Sequence, residues 1–170
     1  MIFGSSSFGI EVGELASEAG TGEALIQFSF VVNNHKIGDW EDRIRLRDSL
    51  HYSRTFLDCK VHRMRPDLAT VESATVFENI YDAFFDYDYT SAPLEKPNLR
   101  DRFHLDDIGL GSISDRFGLV VVDISDSNSR IIVKNLVSSE FVADQQTASA
   151  NVDSAFQDYL AWGKSQGLQT

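Results

Sequence analysis

Alternation of apolar and polar side chains predicts strands in the first forty residues. Within residues 8–15, the apolar residues at 8, 10 and 12 alternate with the glycines and the acid at 9, 11 and 13, which is the period of a half-buried strand, and residues 23–32 show a second strand pattern. Asn33-Asn34 follows, and because asparagine tolerates left-handed backbone angles, this pair suits a two-residue hairpin turn into a short strand at 35–37. The pattern therefore predicts a three-stranded antiparallel meander.

A helical spacing of apolar residues appears three times further along the chain. It predicts one helix over residues 46–64, with Ser49 as a candidate N-cap and Pro66 beyond its end. A second helix is predicted over about 74–87, and a third over about 148–164.

Residues 117–124 form a nearly continuous apolar run rich in β-branched side chains, which predicts a central strand covered on both faces, with Val121 buried. A polar turn leads from this run to a second strand at 130–137. Strands and helices are segregated along the chain, and this order favours an α+β fold. We expect a single domain over 1–170, in which an antiparallel sheet, made of the N-terminal meander plus a C-terminal hairpin, packs against about three helices.

Charge is distributed unevenly along these 170 residues, which carry a net charge of −11. Residues 1–42 carry −6, residues 43–65 carry +5 and residues 66–126 carry −9. We expect the basic segment to pair with its acidic neighbours at the surface. The overall field repels nucleic acid and anionic lipid and attracts basic partners. The single cysteine, the lack of a long apolar run and the absence of a secretory signal predict a cytoplasmic protein with no membrane contact.

Catalytic motifs are sparse, and no phosphate-binding loop or paired-cysteine motif occurs. His104, Asp106 and Asp107 could supply ligands to a metal, because alternation puts the first two on one side of an extended segment. A small metal-dependent hydrolase is therefore an alternative function, although no third ligand on the same side as His104 and Asp106 can be named. We expect no cofactor.

The second predicted helix combines acids with tyrosines. Glu78, Asp82 and Asp86 recur every fourth residue opposite the apolar stripe, and like charges at this spacing repel one another. Such a face suits a basic protein partner, although an ordinary solvated helix has the same pattern. Asp115 belongs to a second acidic group. The candidate partner-binding residues are Glu78, Tyr81, Asp82, Asp86, Tyr87, Asp88, Asp106, Asp107 and Asp115.

The opening of the chain has a distinctive pattern: Met-Ile-Phe-Gly at residues 1–4, then Phe-Gly-Ile-Glu at 8–11. With the turn at Asn33-Asn34, it resembles a family of immunity proteins from bacterial polymorphic toxin and contact-dependent growth inhibition systems. Members of that family often carry Asp-Pro or Asn-Pro where this chain has Ser5-Ser6.

The resemblance implies a binding protein rather than an enzyme. Such proteins bind one cognate toxin, often a nuclease, in the cytoplasm and neutralise it by direct contact. A nuclease must bind phosphate, so its working surface is basic, and an acidic binder gains steering and specificity from it. An acidic adaptor that binds no toxin is a further alternative, and the oligomeric state cannot be predicted.

Overall fold

The computed structural model describes residues 1–17, 20–82, 105 and 111–167 of the chain. Within them the first sheet is antiparallel and has the order β1-β2-β3-β4, with β5 also paired to β3. Its strands are β1 (Ile2–Gly4), β2 (Phe8–Ser17), β3 (Ala24–Val32), β4 (His35–Ile37) and β5 (Arg43–Arg45).

The predicted meander is confirmed as β2, β3 and β4. Asn33 and Asn34 have φ angles of 50° and 64°, so both are left-handed, as a tight two-residue hairpin turn requires. The two further strands, β1 and β5, were not predicted, because three residues are too few to show a period of two.

Among the described residues, the second sheet has three antiparallel strands in the order β6-β7-β8. They are β6 (Phe117–Asp123), β7 (Asn128–Asn135) and β8 (Phe141–Ala148). The prediction that residues 117–124 form the central strand is wrong, since β6 lies at one side of the sheet and β7 lies in the middle. The prediction that Val121 is buried is confirmed, at 0% exposure, because both faces of β6 are covered.

The helices differ from the predictions mainly at their ends. The described helices are α1 (Leu46–Asp58), α2 (Ser73–Phe77), which continues as a π turn (Glu78–Asp82), α3 (Gly111–Arg116) and α4 (Ser149–Ser165). The first ends at Asp58, short of the predicted Met64, and passes into a 3-10 turn. Ser49 is not its N-cap. The helix begins three residues earlier, and the Ser49 hydroxyl is buried 2.5 Å from the hydroxyl of Tyr159 on α4.

The larger core lies between the first sheet, α1, α4 and one face of the second sheet. Helix α4 contacts strands of both sheets, and aromatic side chains of α4 pack against the aromatic side chain of β1. Phe3 on β1 lies 5.8 Å from both Tyr159 and Trp162, measured between ring centroids. The other face of the second sheet packs against residues 68–81 and forms a second core. The second sheet is therefore an interior layer.

A buried cation connects α1 to this layer. Arg63, which is 1% exposed, stacks its guanidinium 3.8 Å from the ring centroid of Phe56 and pairs with Asp123 and Asp153. Burial lowers the pKa of Arg63, and the two carboxylates oppose that effect. The basic segment is thus partly internal, whereas surface pairing alone was expected.

Candidate functional site

Helix α2 and its π turn divide apolar from acidic side chains as the sequence predicts. Val76, Phe77 and Ile80 are buried in the second core, whereas Glu78 is exposed. Tyr81 is 4% exposed and stacks on Phe77, with 4.4 Å between ring centroids. Its ring therefore contributes mainly to the core and offers little accessible surface beside the acids.

Gly118 explains why this helix lies where it does. A Cβ atom at Gly118 would overlap Cζ of Phe77 and lie 2.9 Å from Cε2 of Tyr81. Both rings therefore need a residue without a side chain on β6. Since Gly118 is the second residue of β6, the contact holds α2 and its π turn at the end of the second sheet where β6 begins.

Helix α3 brings Asp115 to the same end of the sheet, because α3 runs directly into β6. Asp115 is exposed, while Ile113 is buried and packs against Gly38. The N–H of Leu136, just after β7, donates to the carbonyl of Arg116 at 2.8 Å. Glu78 and Asp115, one described member of each acidic group singled out in the sequence, therefore lie at the same end of the second sheet.

The loop between β4 and β5 adds acids that the sequence analysis did not select. The guanidinium of Arg116 lies 3.7 Å from a carboxylate oxygen of Asp39, and this contact joins the loop to α3. Asp39 also accepts a hydrogen bond from the N–H of Glu41 at 3.0 Å. Three acids and the half-buried Trp40 occupy four consecutive positions, 39–42. This local concentration of acids is the feature of the sequence that could have marked the loop as part of an acidic surface.

Glu140, in the turn between β7 and β8, completes this surface. Its carbonyl accepts a hydrogen bond from the N–H of Asn135 at 2.8 Å. Beside it, the ammonium of Lys134 lies 5.0 Å from the ring centroid of Phe77. We call this surface the acidic end, and its carboxylates are those of Asp39, Glu41, Glu78, Asp115 and Glu140.

Several predicted site residues lie outside the described residues. They are Asp86, Tyr87, Asp88, Asp106 and Asp107, together with His104 of the alternative metal site. Asp82 is the last residue of the π turn and the last one described in its segment. Within residues 1–17, 20–82, 105 and 111–167, no three His, Cys, Asp or Glu side chains are grouped as metal ligands. No helix in these segments is long and apolar enough to span a membrane.

Comparison with known families decides the identity of the chain. The family model described as Immunity protein 42 matches residues 1–161. The chain belongs to this immunity protein family. The match extends from β1 into α4, so it includes both sheets and the acidic end. The resemblance carried by the opening residues is thereby confirmed.

A solved structure has the same fold. CdiI from Burkholderia dolosa AUO158 superposes with a TM-score of 0.69, covering 95% of this chain and 99% of that chain at 15% sequence identity. The predicted α+β class with antiparallel sheets is therefore confirmed. A search of curated proteins finds no match.

Proposed function

We propose that the chain binds a cognate bacterial toxin in the cytoplasm and neutralises it by direct contact. The observation that carries this proposal is membership of the Immunity protein 42 family along residues 1–161. The similar fold of CdiI supports the same role in a contact-dependent growth inhibition system. We further propose that the toxin is of the nuclease type, because the chain carries a net charge of −11 and nucleases present basic, phosphate-binding surfaces.

We propose the acidic end as the surface that contacts the toxin. Glu78 and Asp115 are exposed and form no ion pair within the described parts of the chain. Carboxylates that lack an internal cation are free to meet cations of a partner, and they also speed diffusional encounter. By contrast, Glu11 on β2 already pairs with Lys36, and Glu23, just before β3, already pairs with Arg45.

The experiment reverses charge at the acidic end and at a matched distant place. One variant carries Glu78→Lys and Asp115→Lys. The control carries Asp126→Lys and Asp158→Lys, which are also exposed and alter the net charge equally. Asp126 lies in the β6–β7 turn, at the opposite end of the second sheet. Affinity for the purified cognate toxin domain is measured at low and high salt.

We expect the first variant to lose about tenfold or more in affinity at both salt concentrations, since reversing a charge in a close pair mainly raises the dissociation rate. The control should lose affinity only at low salt, through weaker steering. Equal losses for the two variants would show that net charge matters and that the acidic end does not. A wild-type chain that neither binds the toxin nor protects cells from it would refute the function itself. Stoichiometric inhibition of nucleic acid cleavage by the toxin tests the nuclease assignment.

A further inference from the structure

The two outer strands of the second sheet, β6 and β8, differ in whether other described segments hydrogen-bond to their outer edges. Along β6, the N–H of Leu105 donates to the carbonyl of Leu119 at 2.9 Å. The main chain of Asp123 exchanges hydrogen bonds with Arg63 and Arg65, at 2.9 and 2.7 Å. Segments that are distant in sequence therefore close the β6 edge at two points.

The register of the sheet shows which peptide groups β8 leaves open. In the β6–β7 turn, the N–H of Ile124 donates to the carbonyl of Asn128. The N–H and C=O groups of every second residue of β7, counted from Asn128, therefore point towards β6. The alternate residues of β7 face β8, and among them Ile131 pairs with Gln145. Asp144 and Gln146, the neighbours of Gln145, therefore direct their N–H and C=O groups away from the sheet.

None of the described residues bonds to these outward peptide groups. Asp144 and Gln146 are both exposed. An eight-residue strand whose outer edge no described residue pairs with is a template on which another strand can add. Natural proteins cover or disrupt such edges unless they use them, and β6 in the same sheet is covered.

Neighbouring segments contact both faces of β8 without closing its edge. On one face, the side-chain amide of Gln145 donates to the carbonyl of Ser7. On the other, the guanidinium of Arg130 pairs with Asp144 at 2.6 Å, and the amide of Gln146 reaches the carbonyl of Ala69 at 3.4 Å. These contacts fix the strand in place, so its edge is presented in a rigid, extended form. A preorganised edge loses little entropy when a strand adds to it.

Charge and apolar exposure indicate what kind of segment fits. The edge begins at Phe141, which is 37% exposed, beside Glu140 of the acidic end. Glu72, which precedes the helix over β8, is also exposed. A strand that alternates Lys or Arg with apolar side chains is complementary to this edge. A second copy of the chain is not, because each copy carries −11 and pairing would bring equivalent acids together.

We propose that the free edge of β8 binds an extended, basic segment of the toxin by strand addition, and this inference rests on the proposed function. The partner strand continues the second sheet beyond β8, pairing with the outward peptide groups of Asp144 and Gln146. The side chains of the acidic end then contact the partner's basic residues where the added strand passes Phe141.

The test compares two substitutions at one position. Gln146→Pro removes the outward N–H, and its ring blocks the edge, while the ladder to β7 is kept because that N–H is not part of it. Gln146→Ala also removes the side chain but keeps the N–H. Affinity for the purified toxin domain and the melting temperature are measured for both variants and the wild type. We expect the proline variant to bind about tenfold or more weakly and the alanine variant to bind like wild type.

Residue-resolved amide exchange provides a second measurement that does not depend on the folding of a variant. In the free wild-type chain, the amides of Asp144 and Gln146 should exchange quickly and that of Gln145 slowly. Toxin binding should slow the first two. Exchange at both amides that toxin binding does not slow, or equal affinity of the two Gln146 variants for the toxin, would show that the β8 edge is not the binding site. If the wild-type chain still binds the toxin in that case, the proposed function stands. A toxin-free dimer that Gln146→Pro abolishes would overturn it in favour of self-association.

Discussion

Arg63 and Asp123 form an ion pair in the interior of the protein, with 3.4 Å between Nε and Oδ2 and side-chain exposures of 1% and 3%. The second oxygen of Asp123 accepts a hydrogen bond from the hydroxyl of Ser129 at 2.5 Å. Arg63 follows α1, and Asp123 ends β6. The pair therefore joins the helical segment to the second sheet, in the same place where their main chains exchange hydrogen bonds.

We predict that Asp123→Ala destabilises the protein by about 3–5 kcal/mol, because it leaves a buried guanidinium with one partner fewer. Urea unfolding followed by circular dichroism measures the change. The matched control is Asp67→Ala, which removes an exposed carboxylate paired with Arg65 and should leave the unfolding midpoint nearly unchanged. Similar midpoints for Asp123→Ala and wild type would show that the buried pair does not stabilise the fold.

Val121→Asp should unfold the domain. It places an unpaired carboxylate at a position with 0% exposure, and the cost is comparable to the whole stability of a small domain. Val61→Asp makes the same change at a side chain that is 78% exposed and should melt like wild type. A cooperative, wild-type melting curve for Val121→Asp would contradict the burial of β6.

Asp144 should contribute to loss of stability in acid. Its hydrogen bond with Arg130 holds the pKa of Asp144 below its usual range, so the folded form binds its proton less readily than the unfolded chain. The stabilisation is complete above the unfolded pKa and is lost as pH falls through the folded value, which places the loss below about pH 4. The side chain is 31% exposed, so the effect is small.

Unfolding curves from pH 6 to pH 2 test this prediction on Asp144→Asn. The variant should be less stable than wild type at pH 6, and the two should converge in acid. Asp158→Asn, at an exposed position without an ion pair in the described residues, should follow the wild-type curve. Parallel curves for Asp144→Asn and wild type would exclude this carboxylate as a source of the pH dependence.

Reversing Asp82 and Asp86 together to Lys should leave the fold intact, because the sequence pattern puts both opposite the apolar stripe. Affinity for the toxin should fall at both low and high salt if these acids are at the interface, since losing a buried charge pair costs about 2–5 kcal/mol. Affinity that is unchanged at both salt concentrations would move the site to the group around Asp115.

His104→Ala should leave protection of cells against the toxin largely intact, because the sequence around His104 supplies neither a nucleophile nor a complete ligand set. Cell survival during toxin expression is the measurement, with circular dichroism to verify folding. A folded His104→Ala variant that no longer protects would revive the metal-dependent alternative.

Long periodic segments were predictable from the sequence, and short or polar ones were not. The alternation over β2 and β3 and the Asn33-Asn34 turn are local signals, and the structure confirms them. Strand β8 was missed because Asp144, Gln145 and Gln146 interrupt any apolar pattern. These residues are polar because they contact Arg130, Ser7 and Ala69, which only the tertiary fold brings near.

The acidic surface was predictable only in part. Spacing along one helix identified Glu78. Tyr81 was also a candidate contact residue, but the structure packs its ring on Phe77 and buries it. Asp39 joins the surface through its ion pair with Arg116, which is far away in sequence, and such a contact leaves no periodic trace. Glu140 lies in the turn between β7 and β8, and this turn was not predicted because β8 was missed.

The contact of Phe3 with Trp162 on α4 has a consequence for synthesis of the chain. Because α4 follows every described strand, the part of the first sheet that packs against α4 stays uncovered on the ribosome until this helix emerges. We therefore expect products truncated before residue 149 to expose these apolar side chains and to be cleaved readily by proteases. Only finished chains could then carry out the toxin neutralisation proposed above.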